Sequence, residues 1–526
     1  MSEAGLGVLE LGVFDHHGHR VPARFHIEDE RGQPWTPAPA DRDAWRTAGN
    51  QRPVILYSDM RECLGRWTRE ASCSHLAFGE AGIRLRPGRY TVYVQRGFEF
   101  APQNRVVEVA AGRVTHAEFR LNRVLALPTE GWYGGDIHVH IGRRFAEDNE
   151  LWTRVLMAED LHAINTMSFK HGQPEPEMDQ YAYGEAGEHQ HSHYAISPGT
   201  EFRDNELYGH ITLAGLQERL DPVSVGPSLG LCENYPLYSM VFEEVRRQGG
   251  LGGWAHGGIS GPLGGTNNYE SLPIEAAMGL VSFVEVVQFR NFLGHATWYG
   301  LLNAGLRIAA AGGSDFPFGI WLAPWHPSIG SDRTYARVDG EFTYRKWLDA
   351  VGRGQTYASS GPSLRLSVNG AGPGDVVNWE GDRQRVVIRA EARCVLPLEC
   401  LEIVVNGALV RRIAASGARL SIEYEEAFDL DRSSWFAARC RGQVAPAVFG
   451  GQFPWDLMAH TSPIYLLRGG RPVLVEQDIT RLADMVRLIR FSYVRQGKFD
   501  VESHREHMLS NCAQALRYYE GLLKMS

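Results

Sequence analysis

Between residues 131 and 365, short apolar runs end repeatedly on a histidine or a carboxylate. GDIHVH carries His138 and His140, PGTEF carries Glu201 and GHITL carries His210. GWAHGG carries His256, FVEVV carries Glu285 and GGSDF carries Asp315. A strand hands over to a loop where its apolar run stops, and the ends of successive strands meet at one rim of a barrel. Imidazoles and carboxylates collected at such a rim form the donor set of a divalent metal site.

The runs between these residues alternate in period. Leu151, Val155, Leu156 and Leu161 are spaced for a helix, and 163–169 then reads as a strand. The spacing predicts a helix over 238–247 that stops at Gly249-Gly250. It predicts strands over 251–255, 281–287 and 306–310, with a helix over 296–304. Such alternation calls for a parallel, barrel-like α/β domain. Before it, RLRPGRYTVYVQRG has a Pro-Gly turn and the alternating run Tyr90, Val92 and Val94. With strands expected over 106–109 and 117–121, and a loop over the Pro- and Ala-rich 34–50, this segment reads as a β-sandwich. After GPSLRLSVNG, strand-like runs return at 385–390, 401–406, 420–424 and 435–439 and suggest a second sandwich. Amphipathic helices over 482–494 and 501–523 end the chain. They are expected to pack on the barrel or on a second subunit, so a homo-oligomer is among the expectations. The divisions expected are therefore 1–130, 131–365, 366–475 and 476–526.

Composition narrows the function classes. The chain has 526 residues, 44% hydrophobic and 22% charged, with a formal net charge of −9. That balance argues against nucleic acid as a partner. No apolar stretch reaches the roughly 18 residues of a membrane span. MSEAGLGVLELGVFD lacks the basic leader and apolar core of a signal peptide. Seven cysteines without a CxxC pair fit free thiols in a reducing cytoplasm.

On a strand, Asp136, His138 and His140 share one face, so the two imidazoles can reach one ion. Each candidate also has a plainer reading alone: exposed histidines on a polar strand, a surface turn at Glu201, a cap at His210, a satisfied core histidine at His256, a helix cap at Asp315. Their recurrence at strand ends in one α/β region favours a shared site.

In their order and wording these motifs resemble the PHP metallohydrolases. That family carries an opening HxH, a later PGxE, an isolated His, an AHP-like element, a buried xEV strand and a closing GSD. GWYGGDIHVH, WYGLLNAGLRIAAAGGSDF, RTYARV and WLDAVGRGQTYASSGP look more narrowly like the CehA/McbA branch, the carbaryl-hydrolase type. The resemblance covers residues 131–370 well and the flanking sandwiches loosely. It implies a distorted (β/α)7 PHP barrel, here flanked by N-terminal and C-terminal β-sandwich domains and a C-terminal helical tail. It implies a first ion on His138, His140, Glu201 and Asp315, and a second on Glu201, His210 and His256. The third ion of the fullest members lacks its ligands here. The loop after HVH is IGRRFAEDN, the second strand ends NTMSF, and Pro317 follows where the last His belongs. His162 and His171 lie near the second strand but out of register. One or two ions of zinc, manganese or iron are therefore expected.

The remaining candidates are Asp315 as proton acceptor, Arg143 or Arg144 as a cation replacing the missing ion, and His193 of GEHQHSHY in a loop over the pocket. That stretch also offers His189 and His191 as a further cluster. Lys170, His171 and Arg333 are candidate substrate contacts, and Glu285 a group that orients a ligand. FPFGIWLAPWHPSIG, after Asp315, supplies aromatics suited to an apolar pocket. The expected function is a metal-dependent hydrolase that cleaves an ester, amide or carbamate of a small apolar or aromatic substrate with activated water. The alternatives are a phosphoesterase and a metal- and ligand-binding scaffold without turnover.

Overall fold

A computed structural model describes residues 5–59, 63, 74–168, 170, 178–205, 207–227, 233–256, 271–289, 291–292, 294–317, 329–442 and 457–525. The molecule is mixed α/β, rich in strands, and built on a curled half-barrel sheet with smaller sheets around it.

The curled sheet begins with three parallel strands: Trp132–Val139, Ala163–Ser168 and Tyr194–Asp204. Gly209–Ala214 then runs antiparallel to Tyr194–Asp204, and Leu251–Trp254 antiparallel to Gly209–Ala214. Leu251–Trp254, Phe283–Gln288 and Ala309–Gly312 resume parallel pairing. Arg333–Arg337 returns antiparallel beside Trp132–Val139, and Thr356–Ser359 beside Arg333–Arg337. A wholly parallel domain was the expectation, and this mixed order corrects it. The first reversal follows from chain length: residues 205–208 link two strands with room for a hairpin but none for a crossover helix.

The sheet's two edges meet through hydroxyls. Gly312 donates its N–H to Thr334 Oγ1 at 2.8 Å, and Thr334 Oγ1 donates to Gly312 O at 2.9 Å. Thr356 Oγ1 donates to Ala310 O at 2.7 Å, and Ala310 N–H donates to Ser462 Oγ at 2.8 Å. Helices Asp148–Glu159, Tyr238–Arg247, His295–Asn303 and Tyr344–Gly352 cover the outside. The strands they cover are buried on both faces, as in Trp132–Val139 and Phe283–Gln288.

Two sheets, one of Gly7–Phe14, Glu80–Leu85 and Val114–Arg120, the other of five strands around Ala23–Asp29 and Gly88–Gln95, enclose a core including Leu9, Leu11, Phe25, Val92 and Val94. The expected N-terminal loop over 34–50 contains a helix, Pro39–Thr47, opened by a proline in its first turn and anchored by buried Trp45. This sandwich docks on Asp148–Glu159. His75 Nε2 lies 2.7 Å from Glu159 Oε1, and Arg123 bridges Glu99 at 2.6 Å and Asp160 at 2.9 Å.

The C-terminal sandwich does not stand apart. Thr356–Ser359 pairs with Leu457–Thr461, so one of its sheets continues the central one, while Ser363–Val368, Gln384–Arg393 and Ser421–Leu430 form the facing layer. The terminal helices Glu476–Gln496 and Glu502–Leu523 pack on each other and on the central domain. Tyr519 OH donates to Pro273 O at 2.7 Å, and Asn511 Nδ2 donates to Ser239 Oγ at 2.7 Å. Among the described residues no helix is long and apolar enough to cross a membrane.

Candidate metal centre

The first strand sets the geometry. His138 and His140 reach the cluster, but a bulge between Asp136 and Val139 leaves Asp136 paired with Ile164 on the opposite, helix-covered face. This corrects the expectation that all three share one face; all are fully buried. His138 Nε2 lies 3.1 Å from His140 Nε2. The GGSD loop closes over them: Asp315 N–H donates to His138 O at 3.0 Å, and His140 N–H donates to Phe316 O at 2.6 Å. This approach needs Gly313, because a Cβ there would stand 2.6 Å from His138 Cβ. Asp136 ties the loop down, accepting from Ser314 N–H at 2.9 Å and Gly330 N–H at 2.8 Å. Burial pushes the Asp136 carboxyl up to about 7, against those hydrogen bonds.

Asp315 Oδ1 faces His140 Nε2 at 3.0 Å and His138 Nε2 at 3.4 Å, while Oδ2 faces His256 Nε2 at 3.2 Å. Glu201 Oε1 lies 3.0 Å from His210 Nδ1, 3.6 Å from His256 Nε2 and 3.7 Å from His138 Nε2. Glu201 Oε2 lies 3.5 Å from His140 Nε2. Three overlapping groups have ligand atoms within 4.8 Å of one another: His138, His140 and Glu201; His138, His256 and Asp315; Glu201, His210 and His256. These are the six residues the sequence proposes as ligands.

The electrostatics fit a cation. Glu201 Oε1, Asp315 Oδ1 and His210 Nδ1 are buried, and among the described residues they are faced by other members of the cluster rather than by outside donors. Buried lone pairs without donors are costly unless an ion takes them. Burial opposes ionisation of Asp315, but His138, His140 and His256 hold its carboxyl well below the usual range. Burial likewise opposes ionisation of Glu201, and Arg203 with His210 holds it low. Burial would depress His138, yet Glu285 and Asp315 outweigh it and raise the imidazole to about 10. Burial drives His210 down to about 3, with Arg203 adding to the effect. His256 and Asp315 both adopt left-handed backbone, with φ of 51° and 53°. Such conformations are strained for non-glycine residues and cluster at functional sites.

Glu285 supports the cluster from beneath, as expected of a buried carboxylate. It accepts from His138 Nδ1 at 3.0 Å and from Thr212 Oγ1 at 2.7 Å, which turns His138 Nε2 toward the other ligands. Thr212 went unread in the sequence, as did Arg203. Arg203 Nε lies 3.5 Å from Glu201 Oε2 and donates to His210 Nε2 at 3.2 Å. The signal for Arg203 was available: two positions beyond Glu201 on a strand, it shares that residue's face.

Other candidates lie elsewhere. Arg143 is fully buried and donates to Gln180 Oε1, Asn149 Oδ1 and Gly187 O, so it pins a loop to the helix Asp148–Glu159. Arg144 is exposed, with only its backbone N–H tied to Asp148. His193 sits exposed in the hairpin turn between His189–His191 and Tyr194–Asp204. Eight residues of strand, about 26 Å, separate it from Glu201. His189 and His191 share that end of the strand, so the histidine-rich stretch does not cover the cluster. His162 also lies at that end, stacked on Tyr194 at 5.8 Å. Arg333 donates to the carbonyls of Glu159, Asp160 and Gly330 and lies over the Phe98 ring, so it caps a helix. Lys170 is buried just past the second strand. His171, Trp321, Trp325 and most of the aromatic segment after Asp315 lie outside the described residues.

PGTEF also differs from the expectation of a strand end at Glu201. The strand runs through Pro198 and Glu201 to Asp204. Gly199 marks a close crossing: a Cβ there would fall 2.4 Å from the Asn165 side chain.

No family model matches the chain, and no curated protein or solved structure matches it significantly.

Proposed function

We propose that this chain is a metal-dependent hydrolase of the PHP type, of the CehA/McbA branch, with the curled sheet as its distorted (β/α)7 barrel. It cleaves an ester, amide or carbamate of a small apolar or aromatic substrate and holds one or two ions of zinc, manganese or iron. The observation that carries this reading is three ligand groups of His, Glu and Asp that overlap on His138, Glu201 and His256. His138, His140, Glu201 and Asp315 would hold one ion, and Glu201, His210 and His256 a second. A divalent ion there supplies a water ionised near neutral pH and a Lewis acid for the carbonyl oxygen.

The chain's own residues do the rest. Glu285 and Thr212 fix the His138 ring. Asp136 fixes the loop that presents Asp315. Both Asp315 oxygens face imidazoles and its basicity is depressed, so it acts as a ligand before it acts as a proton acceptor. Arg203, half-buried beside Glu201, sets a positive charge where an oxyanion develops.

The test is metal analysis of the purified protein, followed by assays of the loaded protein on p-nitrophenyl acetate, an aryl N-methylcarbamate and p-nitrophenyl phosphate. Stoichiometric metal with carbonyl cleavage is expected. Phosphate release alone moves the assignment to a phosphoesterase, for which Arg203 would serve equally. Bound metal with silence on all three leaves a binding scaffold, and absence of metal ends the reading.

A further inference from the structure

The strand that carries Glu285 holds a second polar group. Gln288, at the end of Phe283–Gln288, is fully buried, and among the described residues neither its Oε1 nor its Nε2 has a hydrogen-bond partner. A buried carboxamide with all its hydrogen bonds unmade is a liability in a resting fold.

Its direction follows from the register. Glu285 faces the ligand cluster. The pairing with Ala309–Gly312 slips between Glu285 and Val287, which inserts one extra residue. Val286 and Val287 both join the outer core that includes Trp298 and Leu301. Two successive residues on the outer face return the next one, Gln288, to the face of Glu285. The following residue borders the cluster too: the Phe289 ring lies nearly parallel to that of His256, 6.4 Å between centroids, on a backbone with φ of 48°. Bulges beside sites commonly re-aim a side chain in this way.

We infer that Gln288 is a substrate-contacting, specificity-determining residue of the cluster, recognising a substrate that brings an N–H donor as well as a C=O acceptor. The carboxamide offers one acceptor and one donor, and of the two substrate classes only an amide brings an N–H for the acceptor. An ester satisfies only the donor and leaves the acceptor buried and unpaired, which is how a site built for hydrogen bonding discriminates. This rests on the hydrolase reading for its kinetics but not for its stability effect.

The test uses Gln288→Met, closest in shape, with Gln288→Leu as the second variant, in the full-length metal-loaded protein. Removing an unsatisfied amide should leave the thermal midpoint unchanged or raise it by about 2–4 °C. A fall in both variants means the amide is structurally satisfied and overturns the inference. In kinetics, kcat/KM on p-nitroacetanilide should drop at least tenfold more than on p-nitrophenyl acetate, with metal content unchanged. An equal drop, or none, overturns the specificity role. Should the wild type cleave neither substrate, the hydrolase reading fails separately. Calorimetric binding of acetohydroxamate then decides: at least tenfold weaker binding in the variants supports Gln288, and equal binding overturns it.

Discussion

At the residue scale, the cluster depends on groups that never touch the proposed ion. Glu285 is the clearest case, because its carboxylate holds His138 Nδ1 and thereby selects which nitrogen faces inward. Glu285→Gln keeps the shape and removes the charge. The expected outcome is a 10–100-fold loss of metal affinity, read by competition with a chromogenic chelator, with the circular dichroism spectrum unchanged. Affinity equal to wild type would show that His138 is oriented by packing alone. The ligands themselves were legible because each sits beside a recognisable change of period. Thr212 and Gln288 were not. Their residue types are common on strands, and only the register with neighbouring strands reveals which face each one shares.

At the element scale, the short helix Leu272–Ala277 joins the central domain to the terminal helices. Its Glu275 is buried near Tyr208, Tyr493, Tyr519 and Cys512. Burial raises the Glu275 carboxyl to about 8. The unfolded chain holds a Glu near 4.5, so the folded state binds the extra proton between these values. The favourable contribution is complete below about 4.5 and is lost as pH rises through about 8. Glu275→Gln, neutral at every pH, should therefore melt progressively higher than wild type between pH 5 and pH 8.5, in thermal scans at matched ionic strength. A difference in melting temperature that does not grow with pH would mean the carboxylate finds a compensating partner. Element type was easier to read than element limits. The strand expected at 306–310 lies at Ala309–Gly312, because residues before it are still leaving the preceding helix. The PGTEF strand outlasted its Pro-Gly pair because Gly199 there answers a crowding side chain rather than a turn.

At the scale of the molecule, two joints hold the site. One is the hydroxyl seam where the curled sheet's edges meet. Thr356→Val keeps the volume and removes hydrogen bonds to Ala310 O and Ser462 Oγ. A destabilisation of about 1–3 kcal/mol is expected by chemical denaturation, together with weaker metal retention, since Ala309–Gly312 leads into the Asp315 loop. Stability equal to wild type would show that the backbone pairings close the sheet unaided. The other joint is the proposed ion, which links residues carried by five separate strands. Removing it with a chelator should lower the thermal midpoint, and adding back excess metal should restore it, because a ligand that binds only the folded state stabilises it by mass action. No change on chelation would mean the carboxylates and imidazoles satisfy one another. The sequence by itself determined which six residues form the cluster, that strands and helices alternate around it, and that strand-rich segments flank it, because hydrophobic period and residue chemistry are local properties. Only the tertiary structure decided that strand directions are mixed, that the C-terminal sandwich shares the central sheet, that Arg143 and Arg333 brace backbone instead of facing the cluster, and that His193 lies at the wrong end of its strand. Pairing direction, register and burial are set by contacts between distant segments, and a linear pattern does not encode which segments meet.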